Sequence, residues 1–176
     1  GLGYQALPCG NDTACSIPIA IDAGLGEIAR NGLLITPEYG PRVRLAKVFT
    51  DLPLTSDRPI EFGGKEFCMV CEKCAKKCPS KSIMYGKPKD EPHNISNRKG
   101  VDTWHINAET CMDFWAHNKT DCSNCIRVCP FNKPPGKLHN MVRWGINNIR
   151  QFDRAFLWGD DMMGYGKRKN VKYFWK

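Results

Sequence analysis

The chain has 176 residues, with 26 Lys plus Arg against 18 Asp plus Glu, a formal charge of +8, and 41% hydrophobic residues. That length allows one or two small domains with a modest core. No apolar run approaches the ~18 residues of a membrane-spanning helix, and apolar and aromatic residues recur throughout, which excludes a long disordered tail.

The opening Leu2-Gly-Tyr follows no methionine and no basic-then-apolar leader, so it reads as a start internal to a longer protein. A helix is predicted from Ser16, its candidate cap, to Arg30, with Ile17, Ala20, Ile21, Leu25, Ile28 and Ala29 on one side and Gly32 just past its end. Gly24 and Gly26 weaken that helix by about 1 kcal/mol each. Leu33 to Thr36 reads as a short strand stopped by Pro37, and Arg42 to Thr50 as a second extended stretch. Leu52 to Gly64 carries no periodicity and marks a junction. The expected organisation is α+β. Residues 1–60 form the end of an α/β domain; 61–135 form a cysteine-rich domain with a polar surface insert at 86–104; 136–176 form a helix and an aromatic tail. In that last part Leu138, Met141, Val142, Gly145, Ile146 and Ile149 repeat at helical spacing, with Phe152 continuing the stripe. Phe156, Trp158, Tyr165, Tyr173, Phe174 and Trp175 follow.

Ten cysteines are present, eight of them between Cys68 and Cys129. Cys68-x2-Cys71-x2-Cys74-x3-Cys78-Pro79 has the spacing by which three thiolates wrap one cuboidal iron–sulfur cluster while the fourth serves a second. Cys122-x2-Cys125-x3-Cys129-Pro130 is one cysteine short, and Cys111 makes up the loss. The crossed bookkeeping then closes on two [4Fe-4S] clusters: Cys68, Cys71, Cys74 and Cys129 for one, Cys78, Cys111, Cys122 and Cys125 for the other. The alternative for such a group is structural zinc, which needs only four tetrahedral ligands and neither the third evenly spaced cysteine nor two Cys-Pro endings. Disulfides fit a run of four cysteines within eleven residues poorly. Cys9 and Cys15 are left over as thiols without a cofactor role. Two clusters, each about −2, lower the net charge to about +4. The basic residues form short patches, Lys76 to Lys89 and Lys167 to Lys172, and no nucleic-acid partner is expected. With eight thiolates filling eight iron positions, the clusters conduct electrons and the chemistry lies elsewhere.

Beyond the cysteine runs, the stretches Ala23-Gly-Leu-Gly-Glu, Leu34-Ile-Thr-Pro-Glu-Tyr-Gly-Pro-Arg-Val-Arg, Lys47-Val-Phe-Thr-Asp-Leu-Pro-Leu and Cys129-Pro-Phe-Asn-Lys-Pro resemble the cobalamin-dependent reductive dehalogenases, which are related to epoxyqueuosine reductases. The resemblance implies the C-terminal portion of an enzyme about twice as long: part of a nitroreductase-like corrinoid-binding domain, then a two-cluster ferredoxin-like domain. It implies a corrinoid cofactor and a small organohalide, such as a chlorinated alkene, as substrate. It also implies that Arg44 and Asn11 are active-site groups, that Trp115 is a substrate-cavity wall, and that the proton-donating tyrosine lies upstream. A family member of this kind is exported by the twin-arginine route to the outer face of the cytoplasmic membrane. It docks there on a small integral-membrane anchor, draws on a respiratory electron donor and can form a homodimer. From the residues alone, Arg44 reads first as a structural ion-pair former and Asn11 as a turn former. An epoxyqueuosine reductase acting on transfer RNA and a non-catalytic ferredoxin-like carrier are the competing functions.

Overall fold

The computed structural model describes residues 2–167. Tyr173, Phe174 and Trp175 of the expected aromatic tail, and Arg168, Lys169 and Lys172 of the basic patch, lie outside the described residues.

The fold is mixed α+β, with two separate two-stranded antiparallel ribbons and short helices around the cysteines. Strand β1 (Ala6–Cys9) pairs with β4 (Lys47–Thr50), Ala6 opposite Thr50 and Cys9 opposite Lys47. Strand β2 (Glu27–Ile28) pairs with β3 (Leu34–Ile35). Between them helix α1 spans Ser16–Asp22.

The helix predicted to reach Arg30 therefore ends eight residues early. Ala23 N–H donates to the Ile19 carbonyl, and Gly24 N–H to that of Ile21, with Gly24 in the left-handed region at φ +68°. Gly26 then lies so close to β3 that a Cβ there would stand 2.0 Å from the Ile35 carbonyl oxygen. Ala29 reaches the core from beside an extended segment, while Ile28 is only partly buried. The second extended stretch is likewise shorter than expected: Arg42 to Ala46 is irregular, and only Lys47–Thr50 finds a partner strand.

Helices α2 (Gly64–Cys71), α3 (Lys73–Lys76), α4 (Ala108–Asn118) and α5 (Asn124–Arg127) surround the cysteines. Helix α6 covers Lys137–Asn148, close to the predicted third helix. Its stripe does not continue to Phe152, because the chain tightens into a 3₁₀ turn at Arg150–Phe152 that leaves Phe152 half exposed. Helix α7 follows at Asp153–Met162.

One apolar core joins Ala29 and Ile35 from the β2–β3 ribbon to Phe67, Cys68, Cys71, Trp104, Cys129, Phe131 and Ile146. Phe131 is its hub, meeting Phe62 and Phe67 edge-on at centroid distances of 5.9 and 5.6 Å. The insert at 86–104 crosses the surface for most of its length, held by a bridge between Lys89 and Thr103. Its last residue departs from that reading. Trp104 is 1% exposed, and its indole N–H donates to the Gly86 carbonyl at 2.9 Å, closing the loop onto the core. Trp104→Ala is expected to cost about 3–5 kcal/mol, as for other fully buried aromatics, read as a lowered midpoint in denaturant unfolding.

Candidate metal centre

The two cysteine runs fold as near-copies. In the first, α2 places Cys68 and Cys71 three residues apart on one helical face; Glu72 then turns left-handed at φ 45°, α3 carries Cys74, and Cys78 follows. In the second, Cys122 precedes Ser123, left-handed at φ 49°, α5 carries Cys125, and Cys129 follows. Cys111 arrives separately on α4, whose N-terminus is capped by Asn107 accepting from Thr110 N–H. Because α3 and α5 pack together, the cysteine that ends each run is carried across to the other.

The thiols influence one another mainly within two sets, with Cys125 acting on Cys74 between them. Burial pushes Cys68 up to about 11 and Cys71 up to about 12, and raises Cys74 and Cys129 as well. After burial, the neighbouring thiols that raise Cys129 are Cys68, Cys71 and Cys74. Burial raises Cys111 and Cys125 too, and their thiol neighbours are Cys78 and Cys122. Cys68, Cys71, Cys74 and Cys129 wall a cavity of about 330 Å³, and Cys78, Cys111, Cys122 and Cys125 wall another of about 990 Å³. Among the described residues no three His, Cys, Asp or Glu side chains converge as they would on a single metal ion. Four thiols spaced around a cavity instead suit a cuboidal cluster, whose four irons keep their thiolates apart, whereas tetrahedral zinc draws its ligands to one point. The donor set therefore fits two iron–sulfur clusters.

The two surroundings differ. Around the second set, Ser82 N–H donates to Cys78 Sγ at 3.3 Å, Asn124 Nδ2 donates to Cys122 Sγ at 3.1 Å, and a hydroxyl chain runs Ser80–Ser82–Thr110. Around the first stand charged groups that the sequence reading did not single out. Arg30, 1% exposed, donates through Nε and Nη2 to the Cys68 carbonyl and through Nη1 to the Met84 carbonyl. Lys73, between Cys71 and Cys74, pairs with Asp160 and with Asp161 at 2.7 Å, and Lys133 pairs with Asp160 at 3.0 Å. These ion pairs clamp α7 onto both cysteine runs. The available signal for Arg30 was a lone cation inside the apolar stretch Ile28-Ala29-Arg30-Asn31-Gly32-Leu33-Leu34.

Of the other expected site residues, Trp115 lines the second thiol cavity. Arg44 is exposed. Asn11 is exposed and accepts a hydrogen bond from Ser16 N–H at 2.8 Å, which fastens the start of α1. Neither Asn11 nor Arg44 lines the thiol cavities. Cys9 is half-buried and Cys15 exposed, away from both sets.

The paired thiol sets on this α+β frame define a double-cluster iron–sulfur domain, and residues 67–132 match the family model of the 4Fe-4S double cluster binding domain. Over nearly its whole length the chain is homologous to reductive dehalogenases. It is 43% identical over 174 residues to the tetrachloroethene reductive dehalogenase of Sulfurospirillum multivorans, covering 99% of this chain and 35% of that protein. It superposes with a TM-score of 0.83 and 31% identity on the catabolic reductive dehalogenase NpRdhA, solved in complex with 3-bromo-4-hydroxybenzoic acid, covering 95% of this chain and 24% of that one. Similarity to the epoxyqueuosine reductase of Bacillus subtilis is weaker, 30% over 130 residues, covering 65% of this chain and 28% of that protein. The chain thus spans about a third of the length of the curated dehalogenases it matches.

The raised thiol pKa values fix a pH dependence. An unfolded thiol titrates near ~8.5, so between there and about 11 the cluster-free folded chain holds protons at Cys68 and Cys71 that the unfolded chain has lost. Its stability is expected to fall as pH rises through that window. Cluster assembly, which takes thiolates and releases those protons, is expected to become more favourable over the same rise. Denaturant unfolding of the reduced cluster-free chain at pH 7.5 and 9.5, beside proton release on reconstitution, checks both signs.

Proposed function

We propose that this chain is the iron–sulfur part of a reductive dehalogenase acting on a small organohalide of the chlorinated-alkene kind. The observation that carries this reading is the gathering of eight cysteines into two crossed sets, in a sequence 43% identical to a tetrachloroethene reductive dehalogenase along 99% of its length. In this reading Cys68, Cys71, Cys74 and Cys129 hold one [4Fe-4S] cluster, and Cys78, Cys111, Cys122 and Cys125 hold the other. Bound there, the clusters supply one-electron transfer. The chain's own residues do the rest. Eight thiolates leave no iron position open to substrate. Phe67 and Phe131 keep water from the first set, and the Ser82 amide and Asn124 side chain donate to sulfurs of the second. The clamp of Lys73 and Lys133 on Asp160 fixes the two runs against α7.

The carbon–halogen chemistry belongs, in this proposal, to a corrinoid in the longer protein. Asn11 and Arg44 are the groups of this chain assigned to its substrate pocket, with Trp115 as a cavity wall. A guanidinium beside a phenolic proton donor favours the phenolate, which makes the donor more acidic, and the same charge stabilises a departing halide. No helix among the described residues is long and apolar enough to cross a membrane. Attachment at the outer membrane face through a small integral-membrane partner after twin-arginine export, a respiratory electron donor and a homodimer are further parts of the proposal, which rest on the family resemblance. An epoxyqueuosine reductase is the second reading, supported by the weaker match over 65% of the chain. Halide release from a chlorinated alkene by the longer protein with a reduced dye separates it from the first, since a transfer-RNA enzyme or a plain electron carrier releases none.

Reconstituted chain is expected to hold about eight iron and eight sulfide. The crossing has its own signature in paired substitutions. Cys68→Ala with Cys129→Ala strikes one set and is expected to leave about four iron, whereas Cys122→Ala with Cys129→Ala strikes both and leaves almost none. Uncrossed ligation reverses the two results. In the longer protein, Arg44→Lys is expected to retain iron and corrinoid yet lose about ten-fold to a thousand-fold in turnover, because a flexible point charge replaces a planar fork. Near-normal turnover at full cofactor content would return Arg44 to a structural role.

A further inference from the structure

Arg30 carries a charge into the core with little to balance it. Its N–H groups are satisfied by neutral partners: the Cys68 carbonyl at 3.1 and 2.7 Å and the Met84 carbonyl at 3.0 Å. The Trp104 ring lies 4.9 Å from Cζ. The nearest carboxylate, Glu72, stands 3.9 Å from Nη2, beyond hydrogen-bond reach, and its other oxygen is the same distance from Lys76 Nζ. A guanidinium buried this deeply is costly unless an anion compensates it. Arg30 and Glu72 both line the cavity walled by Cys68, Cys71, Cys74 and Cys129. The cavity of the other set is lined by no charged side chain among the described residues. The missing counter-charge is thus most simply the anionic cluster itself.

We propose that Arg30 is a positioning residue whose fixed positive charge raises the reduction potential of the cluster held by Cys68, Cys71, Cys74 and Cys129, and of that cluster selectively. The proposal rests on the double-cluster reading above. One-electron reduction adds a unit of negative charge inside the cavity and makes or breaks no bond. A cation fixed in a poorly solvated wall stabilises that added charge far more than one in water. The guanidinium stays protonated in both states, so it neither gives nor takes a proton with the electron. Its fork of donors, closed on two carbonyls, holds the charge in place and ties the end of α2 to the segment after Cys78.

The test is a redox titration of reconstituted chain, with dithionite supplying the electron and each reduced cluster followed by paramagnetic resonance. In Arg30→Gln, at unchanged iron and sulfide content, one signal is expected to move to a more negative potential while the other stays. The signal that moves is the one lost in Cys68→Ala. Arg30→Lys, which keeps the charge, should restore most of the potential but lower the thermal stability of the loaded chain. Unmoved potentials in fully loaded Arg30→Gln overturn the proposal and leave the double-cluster reading intact. Should Arg30→Gln fail to load, Arg30→Met, uncharged and of similar length, takes its place, and unmoved potentials in the loaded Arg30→Met chain overturn the proposal in the same way. A wild-type chain without sulfide overturns the cluster reading and the proposal with it.

Discussion

Taking thiols out of water sets the terms for the rest of the molecule. Cys68, Cys71 and Cys129 are core residues in the same sense as Phe67 and Phe131, buried within one apolar cluster. Burial favours the neutral thiol, as the raised pKa values of all three record. Ligation needs the thiolate, so everything packed around the cavity must either exclude water without charge or supply compensation. The apolar residues do the first. Arg30 and Lys73 do the second, Arg30 lowering Cys68 and Cys74 and Lys73 lowering Cys71 against the larger effect of burial.

That requirement explains why the segment before the cysteine domain is inseparable from it in packing. Ala29 and Arg30 come from the β2–β3 ribbon, yet they complete the wall over the first thiol set, and Ile35 of the same ribbon joins the core around it. Glu27 is buried in the same ribbon, and its carboxylate accepts from the amides of Phe62 and Lys65, pinning the entry to α2. A two-residue strand pair has little stability of its own. It persists because it covers a core that the short helices around the cysteines cannot close.

The grouping of the cysteines was legible in the sequence because their spacing is a local, covalent property: three cysteines two residues apart, two Cys-Pro endings, and one stray cysteine to complete the count. Helix α6 was legible for a similar reason, its apolar residues repeating along one continuous stripe. The end of α1 was not. The residues Leu25, Ile28 and Ala29 fit a helical face as well as they fit an extended segment, and what decides is Gly24 turning left-handed and Gly26 meeting β3, a contact eight or more residues away. Trp104 escaped because a polar insert gives no periodicity to place its last residue, whose indole closes the loop from inside. Arg30 escaped because a charged residue is ordinarily read as surface, and only the fold reveals two carbonyls and an indole arranged to receive it.

The two runs share their backbone device, a left-handed residue followed by a four-residue helix, and so present their thiols in matching geometry. Identical ligands do not make identical sites. The first set is the more buried and faces a guanidinium; the second lies on a wider cavity where Ser82 and Asn124 supply dipoles in place of charge. Fixed charge acts over several ångströms in a poorly solvated wall, while an N–H donor acts on the one sulfur it touches. Substitutions around the first set should therefore be felt by the whole cluster, and those around the second by single ligands. A chain that crosses its last cysteines gains proximity between two sites, and by building different walls around each it keeps them from being electrostatically interchangeable.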